Sequence, residues 1–92
     1  MAERRHYKIT ISGRVQGVGF RWSAAREADT LGICGFVKNL PDGNVYIEAE
    51  GTGEQLERFV GWCRKGPRLS EVEFVDIEPG DLRNYSGFRI AL

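Results

Sequence analysis

Residues 7–28 read YKITISGRVQGVGFRWSAAREA. The first six of them alternate apolar and polar side chains, with Ile9 and Ile11 on one face, which is the period of a β-strand. From Trp22 onward, apolar residues return at helical spacing at Ala25 and Ala28. A glycine-rich loop, residues 13–21, lies between the two patterns. The sequence therefore predicts a strand over residues 6–14, a glycine loop and a helix over residues 22–31 in direct succession.

This glycine loop has the character of an anion site. The first N–H groups of a helix have no intrahelical partner and the helix dipole is positive there. Gly17 and Gly19 allow positive φ, so that successive N–H groups can turn toward a bound anion. Arg21 adds a planar, permanently charged guanidinium. The loop is not a Walker loop, and Trp22 stands where the dinucleotide fingerprint needs a small residue. A merely structural turn is the alternative interpretation.

Length and charge limit the function classes. A chain of 92 residues predicts one domain, residues 1–92. Its 13 basic and 13 acidic residues cancel, which argues against broad binding to nucleic acid or to an anionic membrane.

The sequence shows no signal peptide and no apolar run of membrane-spanning length, so we expect a cytoplasmic location. Cys34 and Cys63 are expected to be reduced, although spacing alone leaves a disulfide open.

The rest of the chain predicts two strand–helix–strand units. Strands over residues 35–40 and 45–50 flank a turn and form a hairpin, with Tyr46, Glu48 and Glu50 on the outer face. Thr52 and Gln55 form a capping box ahead of a helix whose apolar stripe is Leu56, Phe59, Val60 and Cys63. A strand over residues 72–78 loses its alternation at Phe74 and Val75, which indicates a bulge or a strand covered on both faces. Phe88, Ile90 and Leu92 alternate in a short terminal edge strand.

This order defines the predicted fold class. It is α+β, a ferredoxin-like split βαβ (βαββαβ) sandwich with two helices on one face of an antiparallel sheet.

The absence of nucleophilic and metal-binding residue types limits the reactions that this loop could catalyse. The loop holds no Ser, Thr, Cys or His that could act as a nucleophile. His6 is the only histidine, and we interpret it as solvated. The acidic residues are interpreted as solvent-facing, and no His–carboxylate cluster suggests a metal. A phosphate site without a nucleophile or a metal suits a substrate whose leaving group can depart without being protonated. An acyl phosphate is one, because it releases a carboxylate with a pKa of about 4.

Asn39 is a second polar candidate. It ends the strand that precedes the turn, and its carboxamide can both accept and donate hydrogen bonds. Taken alone, an Asn at a strand end more often stabilises a turn. The neighbouring Lys38 is interpreted as solvated.

Two motifs resemble those of the acylphosphatase family. The loop GRVQGVGFR, residues 13–21, resembles the first signature, and GFVKN, residues 35–39, followed by Gly43, Val45 and Gly51, resembles the second. Both stand in the right order and at the right separation, and the resemblance covers essentially the whole chain.

The resemblance implies hydrolysis of the carboxyl–phosphate bond of a small acyl phosphate by direct attack of water, without metal or cofactor. Arg21 would bind the phosphate and Asn39 would position the water. Backbone N–H groups of the loop would bind the phosphate together with Arg21; they belong to Gln16, Gly17, Val18, Gly19 and Phe20. Inorganic phosphate would be product and inhibitor, and no nucleic acid or membrane partner is implied.

Two alternatives remain open. The same fold serves RNA-binding modules, and Gly35-Phe36-Val37 resembles a fragment of their aromatic motif. An acylphosphatase-like site could also act on one specialised metabolite such as carbamoyl phosphate. The acyl-group pocket cannot be read from the sequence, although Phe20, Trp22 or Tyr46 could line one. A monomer is the expected oligomeric state.

Overall fold

A computed structural model describes residues 3–92. Seven elements follow one another in the predicted order, strand–helix–strand twice and then a short strand. They are β1 (Arg4–Arg14), α1 (Phe20–Leu31), β2 (Cys34–Asn39), β3 (Val45–Thr52), α2 (Gly53–Lys65), β4 (Glu71–Gly80) and β5 (Phe88–Ile90). Two helices on a five-stranded sheet confirm the predicted ferredoxin-like class. Within the described chain, no helix is both long and apolar enough to cross a membrane.

The sheet has the strand order β4-β1-β3-β2-β5. Every pair among the first four strands is antiparallel, whereas β5 runs parallel to β2. The sheet is therefore mixed, which differs from the purely antiparallel sheet predicted. The reason is topological: after β4 the chain crosses to the opposite edge of the sheet and enters β5 at the end where β2 begins.

The core lies between the sheet and the helices. The strand alternation correctly predicted Val45, Ile47 and Ala49 as interior, and the α2 stripe is buried as predicted. In α1 the prediction was right for Ala28 and wrong for Trp22 and Ala25, because the buried stripe is Phe20, Ala24 and Ala28. The helix starts two residues earlier than predicted, and Trp22, two residues after the buried Phe20, lies on the opposite side of the helix and is 59% exposed.

The ends of α2 and the irregularity in β4 follow sequence signals. Thr52 and Gln55 make the predicted capping box, with bonds of 3.2 and 2.8 Å. Ser12 pairs with Phe74 but Gly13 pairs with Val72, so of the two alternatives for this strand the bulge is the one observed, with Glu73 as the extra residue beside Phe74. Gly13 has φ 120°, and a Cβ there would collide with the carbonyl oxygen of Glu71.

Both cysteines are free thiols, as expected. Burial raises the pKa of the Cys63 thiol, which keeps the sulfur protonated and unreactive.

His6 lies in a buried polar cluster on the face of the sheet opposite the helices. It is only 2% exposed, so the prediction of a solvated histidine was wrong. Its Nδ1 lies 2.7 Å from Glu50 Oε2 and its Nε2 lies 2.9 Å from Glu48 Oε1. Glu48 also accepts hydrogen bonds from the hydroxyls of Tyr46 and Tyr85.

Glu50 is fully buried, although it was predicted to face solvent. It accepts hydrogen bonds from the backbone N–H groups of Arg83 (2.5 Å) and Tyr85 (3.1 Å). The crossing segment between β4 and β5, residues 81–87, thus covers the sheet at this point. Alternation showed which face Glu50 occupies but could not show that a distant segment covers that face.

The buried Glu50 carboxylate should make stability depend on pH. Burial alone would raise its pKa, but the hydrogen bonds from Arg83, His6 and Tyr85 outweigh burial and lower it. The stabilisation is therefore complete above the unfolded-state pKa of about 4.3 and is lost as pH falls through the lower folded-state pKa.

We expect Glu50→Gln to reduce the free energy of unfolding at pH 7 by about 3 kcal/mol, because its amide cannot accept all these bonds. Urea denaturation at pH 7, 5 and 3 should show this deficit narrowing at the lowest pH. The exposed Glu57→Gln is the control. A deficit of equal size at all three values would contradict the assignment.

Candidate active site

The glycine loop leaves the start of α1 open. Gly19 is the N-cap residue, in the left-handed conformation with φ 78°, and no side chain caps the helix. The first helical bond runs from Ser23 N–H to Gly19 O, at 3.0 Å. The N–H groups of Gly19, Phe20, Arg21 and Trp22 precede it and have no intrahelical acceptor. This end of α1 therefore presents four N–H donors and the positive end of the helix dipole.

A pocket of about 200 Å³ opens at this helix end. It brings Arg21, from the first turn of α1, together with Asn39, from the end of β2, as the sequence motifs suggested. Its lining consists of Val15, Gly17, Gly19, Phe20, Arg21, Trp22, Asn39 and Ile90. Arg21 is the one charged residue among these lining residues.

The polar groups of Arg21 and Asn39 are available to a ligand. Within residues 3–92, the Arg21 guanidinium takes part in no ion pair, and neither side chain forms a hydrogen bond to another described residue. Both residues are half-buried. A partly desolvated cation without a carboxylate partner attracts an anion more strongly than one already paired.

The other predicted loop residues divide into two groups. Gly17, Gly19 and Phe20 line the pocket, although the Phe20 ring is buried and packs edge-on against Trp62 at 5.4 Å. Gln16 and Val18 do not line it. Val18 instead packs against the hydrophobic core.

The Gln16 side chain joins the loop to the β2–β3 hairpin. Its Nε2 donates to Leu40 O at 2.8 Å and to Asn44 O at 2.9 Å. These carbonyls flank the hairpin turn, and Leu40 is the residue after Asn39. The resemblance to the family implied a role for the backbone N–H of Gln16 and none for its side chain. The usable signal was a polar side chain predicted to lie in a loop next to a turn whose carbonyls need donors.

Sequence reasoning missed two of the residues that line the pocket, Val15 in the loop and Ile90 in β5. Ile90 pairs with Val37 in the parallel β2–β5 register, and only that register brings the end of β5 beside β2. No pattern in the sequence indicated a parallel edge strand.

The residues behind the RNA-binding alternative lie elsewhere. Phe36 packs edge-on against Tyr85 at 5.9 Å, so its ring is already in contact with the crossing segment. Lys38 is half-buried, with its Nζ 5.7 Å from the Tyr46 ring, and is therefore less solvated than predicted. Tyr46 bonds to Glu48 and does not line the pocket. These contacts count against a stacking platform for bases.

No cluster of three or more His, Cys, Asp or Glu side chains with metal-binding geometry occurs among residues 3–92.

Comparison with known proteins identifies the family. A family model described as acylphosphatase matches residues 7–90. The chain belongs to the acylphosphatase family. An acylphosphatase of Nocardioides sp. (strain ATCC BAA-499 / JS614) is 48% identical over 82 residues, which cover 89% of this chain and 83% of that protein.

Solved structures agree with this acylphosphatase assignment. The crystal structure of acylphosphatase from Bacillus subtilis superposes with a TM-score of 0.93 at 38% identity, covering 96% of this chain and 99% of that one. Full-length HypF contains a similar region, with a TM-score of 0.89 at 28% identity, covering 99% of this chain and 12% of HypF. The protein is accordingly an enzyme of the acylphosphatase family, and its reaction is the hydrolysis of a small acyl phosphate.

Removal of the Gln16 side-chain amide should loosen this acylphosphatase site. We expect Gln16→Ala to lower kcat/KM for acetyl phosphate by about ten- to a hundred-fold, because the loop and hairpin lose their alignment. The free energy of unfolding should fall by about 1–2 kcal/mol for two lost hydrogen bonds. Gln16→Glu should be at least as damaging, since a carboxylate cannot donate to two carbonyls.

The control is Arg14→Ala, which removes only an exposed 3.7 Å contact with Glu71. If Gln16→Glu retained wild-type turnover, the cross-link would have no part in aligning the site.

Proposed function

We propose that this acylphosphatase binds the phosphate of its substrate with Arg21 and the loop N–H groups while Asn39 directs a water molecule onto phosphorus. One observation supports the proposal above all: Arg21 and Asn39, whose polar groups have no partner among residues 3–92, line one pocket at a helix N-terminus without a side-chain cap.

Phosphate binding uses two kinds of donor. The guanidinium matches two phosphate oxygens with a planar pair of N–H groups. The N–H groups of the loop, from Gln16 to Phe20, supply the remaining contacts, and the α1 dipole favours the negative charge. Together they hold the phosphate and stabilise the charge that builds on its equatorial oxygens in the transition state.

Asn39 acts on the attacking water. Its amide oxygen accepts a hydrogen bond from that water, and its amide NH₂ can donate to a phosphate oxygen, which fixes the angle of approach. A carboxamide is not a base, so it orients the water without taking its proton.

The proposed step balances without any further reactant. The water oxygen forms a bond to phosphorus as the bond from phosphorus to the acyl oxygen breaks. The acyl group leaves as a carboxylate, and the proton of the water passes to a phosphate oxygen. The products are a carboxylate and inorganic phosphate. We propose that no metal takes part, and that the protein works as a monomer; both stay predictions from the sequence.

The first test of the proposal replaces Arg21. In buffer with excess EDTA, Arg21→Ala should lower kcat/KM for acetyl phosphate by about 1,000-fold, and Arg21→Lys should recover little of it, because a point charge does not replace a two-pronged donor. Competitive inhibition by inorganic phosphate should disappear in both variants. Arg64→Ala, at an exposed cation outside the pocket, is the control. Near-normal turnover by Arg21→Lys would contradict the bidentate role.

The second test of the proposal replaces Asn39. Asn39→Ala should lower kcat by about 100-fold while the inhibition constant of inorganic phosphate stays within about two-fold of wild type, because only the water loses its partner. Lys38→Ala changes the adjacent residue, which lies outside the pocket, and serves as the control. Weakened phosphate inhibition with unchanged kcat would instead assign Asn39 to substrate binding.

A further inference from the structure

The pocket is divided into a polar end and an apolar rim. The glycine loop, Arg21 and Asn39 form the polar end, and Trp22 and Ile90 are exposed apolar residues that also line the pocket. At about 200 Å³, it is smaller than the 300–1,000 Å³ typical of pockets that enclose a drug-sized ligand. A phosphate bound at the polar end therefore leaves the acyl group near the rim.

Trp22 is held in place as an exposed platform. The Arg26 guanidinium lies 4.9 Å from the centre of the indole ring, one helical turn further along α1. Arg26 borders an adjoining hollow that Trp22 also lines, and it does not line the pocket itself. The cation thus restrains the indole from the side of that hollow. A large aromatic ring fixed at 59% exposure, beside an otherwise small pocket, is suited to contact a ligand.

Ile90 forms the second part of the rim. It is 42% exposed, and the backbone positions it firmly: it pairs with Val37, and the next residue, Ala91, donates its N–H to Val37 O at 2.8 Å. The backbone pairing thus places Ile90 at the end of β5 beside the pocket.

We infer that Trp22 and Ile90 bind the acyl group and are the residues of this chain that determine how strongly the enzyme discriminates between large, uncharged acyl groups and small or charged ones. This inference rests on the proposed binding of phosphate by Arg21. The rim offers apolar surface and an aromatic ring, and Arg21, the one charged side chain among the lining residues, is taken up by the phosphate. A charged acyl group would lose hydration at the apolar rim, and the nearest other cation, Arg26, is already stacked on the Trp22 ring and faces the adjoining hollow.

The test compares benzoyl phosphate with acetyl phosphate through the ratio of their kcat/KM values. Wild type should favour benzoyl phosphate. Trp22→Ala should lower the ratio about ten-fold, mainly by raising KM for benzoyl phosphate, and Trp22→Phe should restore most of it because a ring remains. Ile90→Ser should lower the ratio about three-fold. Succinyl phosphate, with an anionic acyl tail, should be a poorer substrate than benzoyl phosphate.

Two matched controls remove exposed apolar groups away from the pocket. Phe74→Ala deletes an aromatic ring that is 63% exposed, and Leu69→Ala deletes an aliphatic side chain that is 70% exposed; both should leave the ratio unchanged. An unchanged ratio in Trp22→Ala and Ile90→Ser, with Arg21→Ala still inactive on both substrates, would overturn the acyl rim and leave the proposed mechanism intact. Full activity of Arg21→Ala on both substrates would instead overturn the mechanism on which the inference rests.

Discussion

One cross-link joins the two halves of the proposed active site, the pair of hydrogen bonds from the Gln16 amide to the carbonyls of Leu40 and Asn44. The loop that ends at Arg21 and the hairpin that carries Asn39 are separate in sequence, and β2 and β1 are not neighbours in the sheet. The Gln16 amide uses both of its N–H groups to fix the distance between them. A half-buried neutral amide is suited to this task, because it satisfies two turn carbonyls without adding a charge beside the phosphate site.

The hydrogen bonds of the buried Glu50 are a second constraint, because they determine where β5 joins the sheet. Glu50 holds the crossing segment through the N–H groups of Arg83 and Tyr85, and His6 bonds to the same carboxylate. Gly35 then donates to the carbonyl of Gly87 at 2.8 Å, which sets where β5 begins beside β2. Ile90 reaches the pocket only because that starting point is fixed. The buried polar cluster thus influences the shape of a pocket with which it has no contact.

Local signals predicted much of the fold, whereas Arg21 and Asn39 were assigned together to one site only through the resemblance of two motifs to the acylphosphatase family. Alternation, the capping box and the helical stripe of α2 depend on neighbouring residues, and the structure has them where the sequence placed them. The burial of His6 and Glu50 and the position of Ile90 depend on where residues 81–87 cross the sheet. That segment has no periodicity, so nothing local shows which face it covers or which edge β5 joins. The start of α1 at Phe20 was missed for a related reason: Gly19 acts as N-cap through its left-handed backbone and has no side chain to signal it.

The N-termini of the two helices differ in whether a side chain caps them. At α2, Thr52 and Gln55 satisfy the free backbone donors with a complete capping box. At α1 the N-cap is Gly19, without any side-chain bond and without an acidic residue in the first turn. A Ser, Thr or Asp cap typically stabilises a helix by about 1 kcal/mol, and α1 forgoes that contribution. The same side chain would occupy the N–H groups that a phosphate needs, and an Asp would repel the anion. An uncapped α1 is what the proposed binding of a phosphate there requires, whereas the N–H groups at the start of α2 are closed off by its capping box.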